Sequence, residues 1–254
     1  MKALVYHGPG DVRATDMPLP VLRPGEALIK VAYSGICGTD LTIAAGKHPR
    51  AQAPLILGHE FCGEVVDVHD EADRSWVGKR VVVEPLLSCG HCRPCLEGNY
   101  HVCETLGFLG IDTPGSMAEY VTAPVYRLYD IDDLAYEKAA LVEPLAVAVH
   151  DVRRSGFKIG EATVVLGGGT IGQLICQVLA AAGAGTVIVT EPSPFRQRLL
   201  AQLPVQVVDP TRENIAANMA DVVFETAGVA ATVAQAISIA RVRGTIVQIS
   251  LPKE

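Results

Sequence analysis

The spacing of hydrophobic residues changes partway along the chain. In the first part, short apolar runs alternate with Gly and Pro, as in residues 27–32, 63–68 and 80–83. Short apolar runs separated by such breaks are typical of short strands that pair with one another. This part of the chain is therefore predicted to form an all-β barrel or sandwich.

The second part of the chain alternates between strand and helix patterns. A fully apolar run is followed by glycines and then by apolar residues at helical spacing, and four more apolar runs come after it. The predicted strands are residues 162–166, 186–190, 205–208, 221–224 and 245–249. Strands that alternate with helical patterns indicate a parallel sheet covered on both faces, which is an α/β fold.

This change of pattern predicts two domains, residues 1–145 and residues 146–254. The boundary is expected in a helix near residues 144–158. No internal repeat or low-complexity segment suggests a different organisation.

Four cysteines lie close together in a polar loop of the first domain, at about residues 86–104. They are Cys89, Cys92, Cys95 and Cys103. Four thiolates at such spacings can converge on one tetrahedral ion, and zinc prefers such a closed cage. A structural zinc site is predicted, and the loop would depend on the metal because it has little apolar material of its own. The alternative is a disulfide pair or a redox Cys-x-x-Cys motif.

A glycine-rich turn directly follows the apolar run at residues 162–166. Its glycines are Gly167, Gly169 and Gly172, with Thr170 and Ile171 between them. The first glycine permits a tight turn, the second lets a pyrophosphate approach the backbone, and the third lets the helix pack on the strand. The helix N-terminus then offers free N–H groups to phosphates. A dinucleotide site is predicted here, and an incidental glycine turn is the alternative.

An acidic residue, Glu191, ends the next predicted strand, at the position that grips the adenosine ribose hydroxyls. A carboxylate there repels a 2′-phosphate, so NAD is favoured over NADP. Arg196, and Arg198 after it, could partly compensate for a 2′-phosphate.

Charge and composition exclude several classes of partner. The formal net charge of −7 argues against nucleic acid and against an anionic membrane surface. The N-terminus has no signal-peptide pattern, and no apolar stretch is long enough to span a bilayer. Seven cysteines without a secretion signal favour a reducing, cytoplasmic location.

Three further segments of the first domain carry residues that bind metals. They lie at residues 35–40, 57–60 and 142–144, and spacing alone cannot pair them. Taken singly, Cys37 would be interpreted as a small buried hydrophobic residue and His59 as a hydrogen-bonded histidine of the core.

Taken together, these motifs resemble those of the zinc-containing medium-chain alcohol and polyol dehydrogenases. The matching segments are Gly-Ile-Cys-Gly-Thr-Asp, Gly-His-Glu, the four-cysteine loop, Glu-Pro-Leu and the glycine-rich turn, in that order. Residues 221–228 also resemble the family's segment beside the cofactor. The resemblance covers essentially the whole chain. It implies a GroES-like β-barrel domain and a Rossmann domain, with the active site in the cleft between them.

The resemblance also implies a catalytic zinc. By this resemblance, Cys37 and His59 would bind the catalytic zinc. Glu60 matches a residue that is a zinc ligand in some members of the family. Glu143 occupies the position of the second cysteine, as in the sorbitol dehydrogenase branch, where a carboxylate binds the zinc or holds its water. The metal would act as a Lewis acid on an alcohol, whose hydride passes to the nicotinamide.

The proton relay is implied only in part. Thr39 matches the family's first proton acceptor, and Asp40 would orient His59. Many relatives have a histidine where this chain has Thr42. His48 could substitute for it, although a surface-loop histidine is the simpler interpretation.

The function expected from the resemblance is hydride transfer from a polyol, a sugar-derived alcohol or a secondary alcohol to NAD, in a homodimer or homotetramer. One alternative is a catalytically inactive zinc protein with a structural or binding role. Another is a zinc-free reductase of activated double bonds, although such relatives commonly lack the four-cysteine loop. Relatives extend beyond the position where this sequence ends, so the Rossmann domain is expected to be incomplete at its C-terminal end.

Overall fold

The computed structural model describes residues 1–250. The chain divides into two compact units, Met1–Glu143 and Pro144–Glu254. Residues 251–254, which end the predicted second domain, lie outside the described residues.

The first unit is built from antiparallel strands in three sheets. The larger sheet has the strand order β10-β6-β5-β3-β9, the smaller has the order β2-β1-β4, and β7 pairs with β8. The strands are β1 (Lys2–Gly8), β2 (Asp11–Asp16), β3 (Glu26–Ser34), β4 (Leu55–Ile56), β5 (Phe61–Val68), β6 (Arg80–Val83), β7 (Leu86–Leu87), β8 (Gly107–Phe108), β9 (Tyr120–Pro124) and β10 (Leu128–Asp130). Three short helices accompany them, α1 (Gly38–Ala44), α2 (Arg93–Leu96) and α3 (Tyr136–Ala139).

Alternation of side chains along the strands builds the core of this unit. On β3, Ala27 and Ile29 are fully buried, and they pack with Phe61 and Val65 of β5 and Val81 of β6. Successive side chains of a strand point to opposite faces, so these residues form an apolar cluster on one face of the larger sheet. The three runs predicted as strands in the first domain lie in β3, β5 and β6.

In its described part, residues 144–250, the second unit is a five-stranded parallel sheet with helices. Its strands are β11 (Ala162–Leu166), β12 (Thr186–Thr190), β13 (Gln206–Val208), β14 (Ala220–Glu225) and β15 (Ala240–Gln248). Its helices are α4 (Val142–Arg154), which begins just before the unit, α5 (Thr170–Ala181), α6 (Pro194–Leu200) and α7 (Ala230–Ile239). All pairings are parallel, in the order β13-β12-β11-β14-β15. The first strand is therefore central, as in doubly wound folds, and the predicted fold class is confirmed.

One connection differs from the sequence prediction. Helical patterns were expected between all the strands of this sheet, but residues 209–219, between β13 and β14, contain no helix. Asp209 accepts hydrogen bonds from the backbone N–H and the hydroxyl of Thr211, which forms a turn around Pro210. A turn held by the Asp209 side chain competes with helix formation at the start of this connection.

The central strand of this sheet is apolar on both faces because both are covered. Val164, Val165 and Leu166 are fully buried. Val165 packs in one apolar cluster with Ile175 and Leu179 of α5. Within residues 1–250, no helix has both the length and the apolar character needed to cross a bilayer.

Candidate metal centres and dinucleotide site

Three predicted metal ligands of the first unit come together at the end of a strand pair. One donor atom from each of Cys37, His59 and Glu60 lies within 4.8 Å of the others. The register explains the convergence, because Ser34 of β3 pairs with Phe61 of β5, and Gly35 N donates to Glu60 O at 2.6 Å. The two motifs therefore leave the same end of the ladder.

Glycines allow this close approach of the two segments. A Cβ at Gly35 would collide with the side chain of Glu60. Gly58, directly before His59, has a φ of +95°, which L side chains rarely adopt. Gly35 and Gly58 are therefore needed for the local geometry, whereas a Cβ at Gly38 would meet nothing within 4 Å.

Asp40 holds the two segments together through their backbones. Its carboxylate, which is 2% exposed, accepts from Cys37 N at 2.8 Å and from Gly58 N at 3.2 Å. Its distance to His59 Nδ1 is 3.9 Å, which is too long for a hydrogen bond. Asp40 thus positions both segments through their backbones, and its predicted role in orienting His59 stays a prediction.

Electrostatics and an unpaired atom show that the group fits a bound cation. Burial raises the pKa of the Cys37 thiol to about 11, raises the pKa of Glu60 and lowers the pKa of His59. His59 Nδ1 is buried without a hydrogen-bond partner. A divalent ion would displace the thiol proton and stabilise the charged ligands. Thiolate, imidazole and carboxylate are the donors that zinc takes, so these residues fit the predicted metal.

Glu143, the predicted fourth ligand, lies close enough to be influenced by this group without joining it. Burial, and then the charge of Glu60, raise the pKa of Glu143 to about 7. Among the described residues, the cluster of donor atoms within 4.8 Å contains Cys37, His59 and Glu60 but not Glu143. A role in holding water or a proton suits this position as well as direct ligation does.

The raised pKa of Glu143 predicts a pH dependence of stability. Its carboxyl titrates near 4.5 when unfolded and near 7 when folded, so the folded state loses stability as pH rises through this window. After removal of metal by a chelator, the wild-type protein should lose about 2 kcal/mol relative to Glu143→Gln between pH 5 and 8. Urea unfolding of both proteins at the two pH values measures this. An equal pH response in both would contradict the assignment.

Thr39 and His48, the two relay candidates, differ in their surroundings. Thr39 Oγ1 accepts from Cys37 Sγ at 3.6 Å, so this hydroxyl lies beside the metal group. His48 Nδ1 accepts from Arg50 N at 3.3 Å and from Ala51 N at 3.2 Å. Because Nδ1 is an acceptor, neutral His48 carries its proton on Nε2, and it donates rather than accepts there. Thr39 is therefore the better placed of the two for proton transfer.

An aromatic side chain that the sequence did not single out contacts the metal group. The Phe108 ring meets His59 edge-on, with ring centroids 5.3 Å apart. It restricts the imidazole on one side and makes that side apolar. No pattern in the sequence marks Phe108, since it lies in a short β-strand of an irregular region.

The four cysteines of the polar loop also converge. The Sγ–Sγ distances are 3.4 Å for Cys92–Cys95, 3.8 Å for Cys92–Cys103 and 4.0 Å for Cys89–Cys95. All seven cysteines of the chain are free thiols, so no disulfide is formed. Tetrahedral ligation with Zn–S bonds of about 2.3 Å requires sulfurs about 3.8 Å apart, which these distances match.

Backbone N–H groups point at two of these sulfurs. Cys92 N donates to Cys89 Sγ at 3.4 Å, while Cys89 N and Thr105 N donate to Cys103 Sγ at 3.3 and 3.4 Å. Hydrogen bonds from the backbone of His91 and Cys92 lower the pKa of Cys89 to about 6. Donors aimed at sulfur favour thiolates, and clustered thiolates require a cation. The chemistry of the donor set therefore fits zinc.

A buried arginine fastens this loop to the rest of the unit. Arg127, which is 5% exposed, donates to Glu84 Oε2 at 2.7 Å and to Ser88 Oγ at 2.8 Å. Its guanidinium also stacks on the Tyr100 ring at 4.4 Å. Ser88 and Tyr100 lie near the two ends of the cysteine loop, so these contacts let Arg127 orient the cysteine cage. A sequence gives no signal for such a contact between distant segments.

In the second unit, the glycine-rich turn joins β11 to α5. Gly167 has a φ of +108°, and Gly169 is the N-cap residue of α5, which begins at Thr170. A Cβ at Gly172 would collide with the carbonyl oxygen of Gly167. Only glycine therefore fits the first and third positions, as the predicted dinucleotide turn requires.

The carboxylate predicted to bind ribose is folded onto this turn. Glu191, which is 2% exposed, accepts from Gly168 N at 3.0 Å and from Ser193 N at 2.8 Å. Arg196 lies 3.6 Å from its Oε2. The carboxylate is therefore next to the turn, but its oxygens bind backbone N–H groups and a cation. Its contact with ribose stays a prediction.

A threonine directly after the neighbouring strand β14 stabilises the glycine-rich turn through hydrogen bonds. Thr226 follows β14, and its Oγ1 lies 3.0 Å from Leu166 O and 2.9 Å from Gly167 O. Its backbone N–H also donates to Leu166 O at 2.9 Å. The segment that resembles the family at residues 221–228 thus contacts the glycine-rich turn directly.

Gly169 and Gly172 should respond differently to alanine. A Cβ at Gly169 meets nothing within 4 Å, whereas one at Gly172 meets the backbone of Gly167. Gly169→Ala should keep the wild-type Tm but weaken NADH binding about tenfold or more, because the methyl group occupies the path of the pyrophosphate. Gly172→Ala should instead lower the Tm. Thermal unfolding and NADH fluorescence titration measure both. Full affinity in Gly169→Ala would contradict a phosphate contact there.

Comparisons with known proteins assign the chain to a family. The family model for the alcohol dehydrogenase GroES-like domain matches residues 23–133, and that for zinc-binding dehydrogenases matches residues 170–254. The 2-dehydro-3-deoxy-L-galactonate 5-dehydrogenase of Pseudoalteromonas atlantica is 41% identical over 90% of this chain and 70% of its own length. The (R,R)-butanediol dehydrogenase of Bacillus subtilis is 38% identical over 99% of this chain and 78% of its own.

Solved structures agree with these similarities. A zinc-binding dehydrogenase of Sinorhizobium meliloti bound to NADP superposes with a TM-score of 0.89 at 36% identity, over 96% of this chain and 75% of that one. The 2R,3R-butanediol dehydrogenase of Bacillus subtilis gives 0.85 at 36% identity, with the same coverage of 96% and 75%. The expected GroES-like and Rossmann-type domains are confirmed. Relatives of this kind are oxidoreductases that act on CH–OH donors with a nicotinamide cofactor, and the chain belongs to the zinc-containing medium-chain alcohol and polyol dehydrogenases.

Proposed function

We propose that the protein is a zinc- and NAD-dependent dehydrogenase that oxidises a polyol, a sugar-derived alcohol or a secondary alcohol to a ketone or aldehyde. The convergence of Cys37, His59 and Glu60 within 4.8 Å carries this proposal. A protein that kept only the four-cysteine site for structural reasons would not need a second buried group of metal donors.

The residues of this group have distinct proposed roles. When bound, a zinc ion there supplies Lewis-acid chemistry that favours loss of the alcohol proton. Cys37 and His59 hold the metal, and Asp40 fixes the backbone of both segments. Thr39, whose hydroxyl lies 3.6 Å from the Cys37 sulfur, receives the proton first. Glu143 ligates the metal or holds its water.

NAD is the proposed cofactor rather than NADP. The support is Glu191, whose carboxylate lies at the glycine-rich turn and would repel a 2′-phosphate. Arg196, 3.6 Å from that carboxylate, opposes this preference, and the relative from Sinorhizobium meliloti is bound to NADP. The ratio of kcat/KM values for the two cofactors tests the preference directly.

The substrate is proposed by class only. Relatives are named for 2-dehydro-3-deoxy-L-galactonate, butanediol and sorbitol, which all carry secondary hydroxyls. We also propose a homodimer or homotetramer in the cytoplasm, with small alcohols rather than nucleic acid or membrane as partners. Supporting this are the formal net charge of −7 and the seven free cysteines, which suit a reducing compartment.

Native mass spectrometry followed by an alcohol panel tests the proposal. Two zinc ions per chain and NADH formation from at least one secondary alcohol or polyol are expected. The same spectrum reports the number of subunits. One zinc per chain, with no turnover of any alcohol by NAD or NADP, would overturn the proposal in favour of a catalytically inactive zinc protein.

A further inference from the structure

Beside the glycine-rich turn lies a buried carboxylate to which the proposed reaction assigns no role. Glu225 is the last residue of β14 and is 0% exposed. It stands at the carboxyl end of the parallel sheet, where ligands of doubly wound folds bind. Burial of a carboxylate is costly unless hydrogen bonds satisfy it, so its surroundings show what it holds.

One oxygen of Glu225 binds the turn that follows β14. Ala227 N and Gly228 N donate to Oε1 at 3.0 and 2.9 Å, and Thr232 Oγ1 lies 2.7 Å from the same oxygen. Gly228 has a φ of +71°, so the turn is tight. Thr232 is in the first turn of α7, and the carboxylate therefore also faces the positive end of that helix.

The other oxygen binds the end of the next strand. Gln248 Nε2 donates to Oε2 at 2.6 Å, and the Ser250 hydroxyl donates to it as well. Burial alone would raise the pKa of Glu225, but hydrogen bonds from Ser250, Thr232 and Gly228 outweigh it and lower the pKa below its ordinary value. Glu225 is therefore an ionised group that joins the ends of two strands and one helix.

The order of the strands places the hydrogen bonds of Glu225 on one side of the central strand β11. Strands β12 and β13 lie on one side of β11, and β14 and β15 lie on the other. In a sheet of this order, the two sides serve the two halves of a dinucleotide, with the first glycine-rich turn at the pyrophosphate. Glu191 stands on the β12 side, which is the adenosine half. Glu225 and its partners stand on the opposite side.

We propose that Glu225 is a positioning residue for the nicotinamide half of the dinucleotide. It fixes the turn of residues 226–228 and the end of β15, which lie on that side of the carboxyl end of the sheet. The Thr226 hydroxyl links this turn to the glycine-rich turn by donating to the carbonyl oxygen of Gly167 at 2.9 Å. The inference rests on the proposed nicotinamide cofactor, and it adds a residue that acts on cofactor geometry without touching zinc or alcohol.

The test compares a ligand that fills both halves with one that fills only the adenosine half. Kd values are measured for NADH and for ADP on the zinc-loaded protein. In Glu225→Ala, NADH affinity should fall about tenfold while ADP affinity stays within about twofold, because the lost bonds to a charged acceptor hold only the nicotinamide side. Glu225→Gln keeps one acceptor oxygen for the turn, so it should fold normally and show a smaller loss, about threefold, for NADH alone.

Asp221 gives a matched control on the same strand. Its carboxylate accepts from Ala162 N at 2.8 Å and from Arg241 Nε at 2.5 Å, near the amino end of β14. Asp221→Asn should lower the Tm without changing the ratio of NADH to ADP affinity. Such a result separates a positioning role from a loss of stability in the sheet.

The outcomes distinguish this inference from the proposed function. If the wild-type protein binds neither NADH nor NADPH, the proposed cofactor is wrong. If it binds NADH and the folded Glu225 variants keep the wild-type ratio of NADH to ADP affinity, the positioning role is overturned. An equal change of that ratio in Asp221→Asn overturns it too. Should Glu225→Ala fail to fold, Glu225→Gln decides.

Discussion

Cys37→Ser is expected to abolish alcohol oxidation and to remove one of two zinc ions per chain. A serine hydroxyl does not ionise near neutral pH and is a poor substitute for a thiolate, so the buried group would lose its metal. Loss of the Lewis acid costs several kcal/mol of transition-state stabilisation, which corresponds to a fall in kcat/KM on the order of a thousandfold. Metal analysis and steady-state kinetics measure the two effects. The Tm should change little, since the four-cysteine site remains filled.

Cys62→Ser is the matched control for this experiment. Cys62 is a fully buried thiol of the same unit, and its Sγ donates to Tyr136 O at 3.2 Å. A serine hydroxyl can make the same hydrogen bond, so two zinc ions and near wild-type turnover are expected. If Cys37→Ser retained both zinc ions and full turnover, the assignment of a catalytic metal to this group would be wrong.

Cys103→Ser is expected to destabilise the protein while leaving the first metal group in place. Cys103 is 7% exposed and accepts two backbone N–H donors, so its loss opens the cage from the inside. The loop has few apolar contacts of its own, and its order depends on the metal. One zinc per chain should be lost, and the Tm should fall by on the order of 10 °C. Limited proteolysis should then cleave within about residues 86–104.

His91→Ala provides the control in the same loop. His91 is exposed, and its Nδ1 lies 2.8 Å from Cys89 O, so it is a possible metal donor by residue type but not by position. Both zinc ions and resistance to proteolysis should be retained. Equal loss of zinc in His91→Ala and Cys103→Ser would show that the ligand set is not the four cysteines.

Local patterns in the sequence were enough to predict three strands of the first unit, the five strands of the second unit and the glycine-rich turn. Residues 162–166, which are apolar apart from Thr163, are typical of a strand in a parallel sheet covered on both faces, and the sheet has that form. The helix missing between β13 and β14 shows the limit of the same reasoning. A short connection can satisfy its backbone by turns, as Asp209 does for Thr211, without changing the strands on either side.

The candidate site also contains features that local sequence predicts and features that it does not. Local sequence was enough to predict a four-cysteine metal group, because its four cysteines are close together along the chain. It was also enough to predict the phosphate turn, because the backbone conformation of Gly167 and the close approach at Gly172 require glycine. Cys37 and His59 could be joined before the structure was known only through resemblance to a family.

Contacts between distant groups follow from the folded structure. The pairing of β3 with β5 brings Cys37 to His59 and Glu60, and it lets Asp40 hold both segments by their backbones. Arg127 reaches the cysteine loop, and Glu225 joins the ends of two strands, across separations that leave no periodic trace in the sequence. Patterns along a chain record local conformation and burial, whereas contacts between distant side chains depend on strand register and packing, which only the folded structure fixes.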